Sequence, residues 1–302
     1  GHVAGSLLPA DIFARFCRMT GDEVVMVSGS DMHGAPITVS AEKEGVAPEV
    51  IANRYHEANA KAIADLGIDF DLYTHTHTLN HQETAHEFFL KLLERGHLVK
   101  DSTPQFFCAS CSRFLPDRYV EGTCPHCKYE RARGDQCDSC GMDLNAEELL
   151  EARCQLCGGR PELRETEHYF LKLSHFTDDL IKYAESSAHW RPHVRAFTVN
   201  VLKEGLVDRP ITRDISWGVP VPVPGFEAKR IYVWFEAVMG YLSATKEWAN
   251  TEGRPGDCAR SAWRDSTPPA ALAGTATTPG RQRAGPSTPA PPSWLRWSTP
   301  AR

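Results

Sequence analysis

Apolar and polar positions alternate along this chain in two rhythms. In residues 3–20, Leu7, Phe13, Phe16 and Cys17 fall on one side of a helix that Gly21 stops. Pro9 lies inside that span, where a kink is the expected result. Val24–Val27 is a short unbroken apolar run, as in a parallel strand buried on both faces. Pro48 opens a second long helix through Ile51, Tyr55, Ala62 and Leu66, ended by Gly67. A third runs from about His81 to Arg95, with Phe88, Phe89, Leu92 and Leu93 apolar and Gly96 as its stop. Far along the chain, Ile231–Phe235 reads as another buried strand. Helix, buried strand and helix in succession predict an α/β domain with a parallel sheet. A segment of different character, about 104–160, interrupts this pattern.

Composition narrows the class without changing that picture. A chain of 302 residues suffices for two domains and a sizeable core. The net charge of −6 argues against a general polyanion binder, because nonspecific affinity comes from Lys and Arg meeting phosphates. Local binding to a structured RNA stays open. No apolar stretch is long enough to cross a membrane and no signal peptide is visible, which predicts a cytoplasmic protein with no membrane partner. The chain begins at Gly1 rather than Met, so its true N-terminus is expected to be missing.

The cysteines carry the strongest local signal. Eight of the ten form four C-x-x-C pairs: Cys108/Cys111, Cys124/Cys127, Cys137/Cys140 and Cys154/Cys157. A secreted disulfide framework fits poorly, since all four pairs sit in one segment of a large chain. The spacing lets two thiolates point at one ion, and two such pairs complete a tetrahedral site of the structural, closed kind. Two Zn²⁺ are expected. Cys17 and Cys258 stand apart from these pairs, and Cys17 is expected to be a buried helix residue.

The strand ending at Val27 runs straight into Ser28-Gly29-Ser30-Asp31-Met32-His33-Gly34. In open parallel sheets, ligands bind beyond the carboxyl ends of the strands. Asp31 is therefore placed either to meet a cationic group such as an amino-acid ammonium or to cap the next helix.

At this point the chain resembles a family. Gly29-Ser30-Asp31-Met32-His33-Gly34-Ala35-Pro36-Ile37 is similar to the G-S-D-x-H-G-x-P-I segment of methionyl-tRNA synthetases. Gly1-His2 resembles the last half of the class I signature His-x-Gly-His. Phe114 through Pro125 resembles that family's zinc-knuckle segment and is the most specific match. Arg213-Asp214 with Trp217-Gly218 resembles T-R-D-x-x-W-G, and Tyr232-Val233-Trp234-Phe235-Glu236-Ala237 with Gly240-Tyr241 resembles Y-V-W-x-D-A-x-x-G-Y. The resemblance covers residues 1 to about 250. Leucyl, isoleucyl and valyl enzymes share the class I core, but the Asp-x-His-Gly version with paired knuckles favours methionine.

The resemblance implies a Rossmann-like class I catalytic core interrupted by a zinc-knuckle connective insertion. Its parts would be 1–98 and 213–250 for the core and 99–212 for the insertion, with the knuckles at about 104–160. It implies a two-step reaction. Methionine attacks the α-phosphate of ATP, with Mg²⁺, to give methionyl-adenylate; the aminoacyl group then passes to initiator or elongator methionine tRNA. His2 matches a residue that stabilises the phosphate, with Gly1 and Arg213 also near ATP. Asp31 matches the holder of the methionine ammonium, and Trp234, Ala237 and Tyr241 match positions lining the side-chain pocket; core packing is the plainer account of those three. Because family members with one zinc use the inner two pairs, a nested arrangement is implied: Cys124, Cys127, Cys137 and Cys140 in one site, and Cys108, Cys111, Cys154 and Cys157 in the other. Spacing alone leaves a sequential pairing open.

Two other clusters are weighed. His75, His77 and His81 could suggest a metal site, but the family has a polar turn and an Asn-His here, which favours a loop and helix cap. Glu42-Lys43-Glu44 reads as a solvated helix face. Departures from the pattern are Glu236 for the more usual Asp and Met32 where Glu or Ala is common. A Lys-Met-Ser-Lys-Ser loop is found nowhere in the chain, so the chain as given is expected not to aminoacylate tRNA. Two competing classes are a noncatalytic zinc-ribbon module for RNA and another class I synthetase.

Composition changes abruptly after Asn250. Residues 251–302 hold nine Pro and seven Arg, and no Val, Ile, Phe, Tyr, Met, Lys, His or Asn. That mixture is what GC-rich coding sequence gives in the wrong frame, so this tail is expected to be non-native and, with so little aliphatic side chain, not to fold. A genuine Pro-rich linker is the alternative. Translating the neighbouring DNA in the other two frames is expected to resume a synthetase-like sequence after about residue 250. If neither frame does, the frameshift account fails.

Overall fold

The computed structural model describes residues 3–134, 136–251 and, by backbone alone, 275–278. Gly1 and His2 lie outside the described residues. Val3–Leu7 forms a wide π turn, and the first α-helix, α1 (Leu8–Met19), follows. Pro9 sits in the first turn of α1, where its missing N–H costs nothing, so the expected kink does not occur. The buried face of α1 also differs from expectation. Ala10, Asp11, Ala14 and Cys17 face inward, as expected for Cys17, while Phe13 and Phe16 are about half exposed. Small side chains let the helix lie close to the sheet, and Asp11 is answered there by the backbone N–H of Asp69 at 3.0 Å.

Strand β1 (Glu23–Ser30) fulfils the expected buried strand and runs three residues further. It pairs in parallel with β2 (Leu72–His75), which is reached through α2 (Ala35–Glu44) and α3 (Pro48–Asp65). Successive side chains of a strand point to opposite faces. Val24 and Met26 pack with α1 and Ile63 of α3, whereas Val25 and Val27 meet Ala244 and Trp248 of a late helix. The sheet is thus covered on both sides, which is why its sequence reads as a continuous apolar run. Helix α3 has the expected Pro start, and Gly67 takes a left-handed φ of 68° just past its end, though Tyr55 and Leu66 turn outward. Helix α4 (Leu79–Glu94) is capped by Thr78, whose hydroxyl accepts from the His81 N–H, as the loop-and-cap reading requires.

Beyond α4 the chain enters a long antiparallel ribbon, β3 (Leu98–Cys108) against β8 (Glu162–Leu171). Between them come β4 (Arg113–Phe114), β5 (Val120–Thr123), β6 (Ala132–Arg133) and β7 (Leu150–Cys154), which carry the cysteines at the ribbon's tip. The tip rests on α2: Ala35 and Val39 join its core, and Glu42 pairs with Arg113 at 2.6 Å and accepts from the Tyr119 hydroxyl at 3.3 Å. The Glu42 end of the acidic run is therefore an interface rather than a solvated face.

After β8 come α5 (Thr177–Ser186), α6 (Pro192–Glu204), β9 (Arg209–Pro210), β10 (Thr212–Arg213) and β11 (Arg230–Ile231). The expected strand over Ile231–Phe235 ends at Ile231; Val233–Ala237 is a short helix, α7, and α8 (Gly240–Thr251) follows. A short apolar run fits a buried strand or a buried helical turn equally well, and here neighbouring elements decide it. Thr275–Thr278 (β12) pairs antiparallel with Glu23–Met26. At these four residues the structure departs from the expectation that nothing past about 251 folds; the unpaired edge of β1 offers hydrogen-bonding groups that an extended segment satisfies. The rest of that tail lies outside the described residues.

Gly29 has no room for a side chain: a Cβ there would sit 2.8 Å from the Thr74 carbonyl oxygen in β2. Gly29→Ala must push two paired strands apart, with an expected loss of about 1–3 kcal/mol in denaturant unfolding. An unchanged midpoint would show that the pair is not so tightly drawn.

Candidate active site and metal centres

The turn after β1 is fixed on every side. The Met32 N–H donates to the Thr76 hydroxyl at 3.0 Å, and the Met32 carbonyl accepts from Trp217 Nε1 at 2.7 Å. The His33 N–H turns back to the Asp31 carboxylate at 3.3 Å. Gly34, at φ 102°, opens α2 with the Val233 side chain 3.4 Å from where its Cβ would be. Asp31 is therefore not the helix cap; that position is Gly34. The Asp31 side chain is open to solvent but set in a dense crevice. Desolvation first, and the charge of Glu236 second, push its carboxyl up to about 6.

Glu236 lies behind this turn and is wholly buried. One oxygen meets His33 Nδ1 at 2.7 Å and the other meets His81 Nε2 at 2.6 Å. Burial alone would raise its carboxyl, but the two histidines hold it below the usual range. His33 Nε2 contacts His77 Nδ1 at 3.0 Å, and the His77 ring lies 4.3 Å from that of Trp217. In the sequence His33 and Trp217 stand only as parts of motifs, and Glu236 as a departure from one. The available signal was an acidic residue inside an apolar aromatic run, which must find donors if it is buried.

Arg213, on β10, stacks 3.8 Å over the Tyr232 ring and donates to the Pro210 and Thr212 carbonyls. Its neighbour Asp214 accepts from Lys229 at 2.6 Å and Thr166 at 2.9 Å, with His168 at 3.3 Å. Burial opposes the Asp214 charge, yet His168 and Lys229 outweigh it and bring the carboxyl down to about 2.

The eight paired cysteines form two groups, Cys108/Cys111/Cys154/Cys157 and Cys124/Cys127/Cys137/Cys140, each with its sulfurs within 4.8 Å of one another. The pairing is nested; the sequential alternative is excluded. All four C-x-x-C turns share one backbone shape, with a left-handed residue just after the second cysteine: Ser112, Lys128, Gly141 and Gly158. Cross-pair sulfurs stand 3.5 and 3.9 Å apart in each group. That is far beyond the disulfide length of about 2.05 Å. It matches the edge of a tetrahedron built on metal–sulfur bonds of about 2.3 Å. The Gly159 N–H helps draw the Cys157 thiol down to about 7. Among the described residues the groups whose ligand atoms converge in this way are the two cysteine sets, and His75, His77 and His81 are not one of them.

A profile of the family described as tRNA synthetases class I (M) matches residues 1–271. The chain belongs to that family. Its curated relatives include methionine–tRNA ligases of Dehalococcoides mccartyi, 61% identical over 84% of this chain, and of Thermomicrobium roseum, 55% identical over 88%. The chain spans about half the length of these relatives, 46% and 45%. A solved Mycobacterium tuberculosis methionyl-tRNA synthetase bound by methionyl-adenylate shares the fold at TM-score 0.58 and 23% identity, over 79% of this chain and 43% of that one.

Within this synthetase fold, Trp234 stands on α7 with 73% of its surface exposed. Ala237 ends α7 and Tyr241 lies at the start of α8, both half-buried. Glu236 and Val233 bring α7 against the Asp31 turn.

Elemental analysis of protein purified without chelator is expected to give two metal ions per chain. Chelation should unfold the Cys108–Cys157 tip, because such sites fold only around the ion. One ion or fewer would refute the two-centre arrangement.

Proposed function

We propose that this chain contributes the amino-acid- and ATP-handling part of a methionine–tRNA ligase. The observation that carries the reading is Asp31. It is a carboxylate at the carboxyl end of a parallel strand, held on a turn with its neighbours fully bonded and its own side chain open. That is how a site for a cationic group is built in a parallel sheet. The family match and the relatives' names support methionine as the amino acid.

In this proposal Asp31 holds the methionine ammonium. Trp234, Ala237 and Tyr241 form the wall for the thioether, whose polarizable sulfur favours aromatic contact. The methionine carboxylate attacks the α-phosphate of ATP, releasing pyrophosphate and leaving methionyl-adenylate. By the family pattern, His2 and Gly1 serve the ATP phosphates, where an imidazolium would offset charge that builds in the transition state. Arg213 serves the same phosphates, its guanidinium oriented by Tyr232. Mg²⁺ accompanies ATP. A hydroxyl of the 3′-terminal adenosine of tRNA then takes the methionyl group, and AMP leaves. The ribbon 99–212 acts as the connective insertion, and its two thiolate groups hold structural Zn²⁺, the ion that all-sulfur tetrahedral sites of this spacing favour.

Asp31→Ala is expected to weaken methionine binding by roughly 2–5 kcal/mol, since the ammonium loses its charge partner. The wild-type site should also lose affinity as pH falls through about 6, where Asp31 takes up a proton and its charge disappears. Isothermal calorimetry between pH 5 and 8 reads both effects; unchanged affinity in the variant would refute the role of Asp31.

A further inference from the structure

The line Ser243–His81–Glu236–His33, buried throughout and reaching the surface at His77, is longer than packing requires. Ser243 Oγ lies 3.0 Å from the Gly240 carbonyl, to which it can only donate. It therefore accepts from His81 Nδ1 at 2.9 Å. His81 Nε2 meets a Glu236 carboxylate oxygen at 2.6 Å. His81 thus spans Ser243 and Glu236 with its two ring nitrogens. The other Glu236 oxygen accepts from His33 Nδ1, and the His33 Nε2–His77 Nδ1 contact shares one proton. His75 Nδ1 accepts from the His77 N–H and is bare.

We propose that Glu236 is a positioning residue of the amino-acid site: paired with His81 on one side, it holds through His33 the Asp31–His33 turn and the Trp217–His77 ring pair. The inference rests on the methionine reading of Asp31. If stability alone were at stake, apolar residues of similar volume would serve as well as a buried ion pair. Here the pair stands directly behind the proposed ligand carboxylate. The charged groups that act on Asp31 are Glu236, His33 and His81. His77 is further influenced by Glu49 of α3 and His75 by His56.

The test uses this chain with ¹⁵N-labelled histidine, assigned through His81→Asn and His33→Asn, and methionine calorimetry on the same samples at pH 8. The parent is expected to show His81 protonated on both nitrogens and His33 on Nδ1. Glu236→Gln is expected to return His81 to a singly protonated ring and to raise the methionine Kd ten-fold or more. Glu236→Asp, which keeps the charge, should stay within about three-fold and retain the His81 signature. The proposal is overturned if Glu236→Gln, folded by circular dichroism, binds methionine within two-fold of the parent. It is equally overturned if His81 in the parent is singly protonated. If the parent shows the expected histidine spectrum yet binds no methionine, the spectrum upholds the clamp on the turn and the methionine reading is what fails.

Discussion

Glu236 is sealed from water, and a carboxylate so placed keeps its charge only where donors meet both oxygens. Its two donors come from the turn after β1 and from α4, and Glu236 itself stands on α7. Three elements distant in sequence are drawn to one point, 203 residues apart for His33 and 155 for His81. Removing one partner of such a pair costs about 3–5 kcal/mol, far more than any surface ion pair in the molecule contributes. The open Asp31 crevice can exist because the structure behind it is this rigid.

The cysteine-bearing tip takes part in the same arrangement at one remove. Its core includes Ala35 and Val39, and the fully buried Tyr119 reaches Glu42 with its hydroxyl. All three belong to α2, the helix that Gly34 starts immediately after the Asp31 turn. The tip therefore closes α2 from outside while Val233 and the His33–Glu236 contact hold the helix's first residues from inside. The helix that follows the Asp31 turn is thus braced on two sides.

Local chemistry was legible in the sequence, and distant partnership was not. Pro48 and Gly67 frame α3, Thr78 caps α4, and Val24–Val27 announces a strand covered on both faces, because each is written by neighbouring residues. The cysteine spacing likewise announced the metal groups. Which face of α1 is buried could not be read, since Ala10 and Ala14 win over Phe13 and Phe16 only through close approach to a sheet formed elsewhere. Ile231–Phe235 misled for the same reason: its apolar run suits strand or helix until Glu236 is tied to His33 and His81. Asp31 stood out by position alone, whereas the line behind it becomes visible only when residues from three regions meet.

The orientation of α1 leaves Ile12, Phe13, Phe16 and Met19 together on its outer side. Water cannot wet such a stripe without cost, and contiguous apolar surface of this kind governs how copies of a chain behave when crowded. Colloidal behaviour is therefore shaped here by this stripe as well as by net charge. At −6 the molecules repel one another at long range, but salt shortens that reach to about 10 Å at 0.1 M. Once that repulsion is screened, this stripe is free to adhere, so concentration and ionic strength together bear on whether the chain stays dispersed.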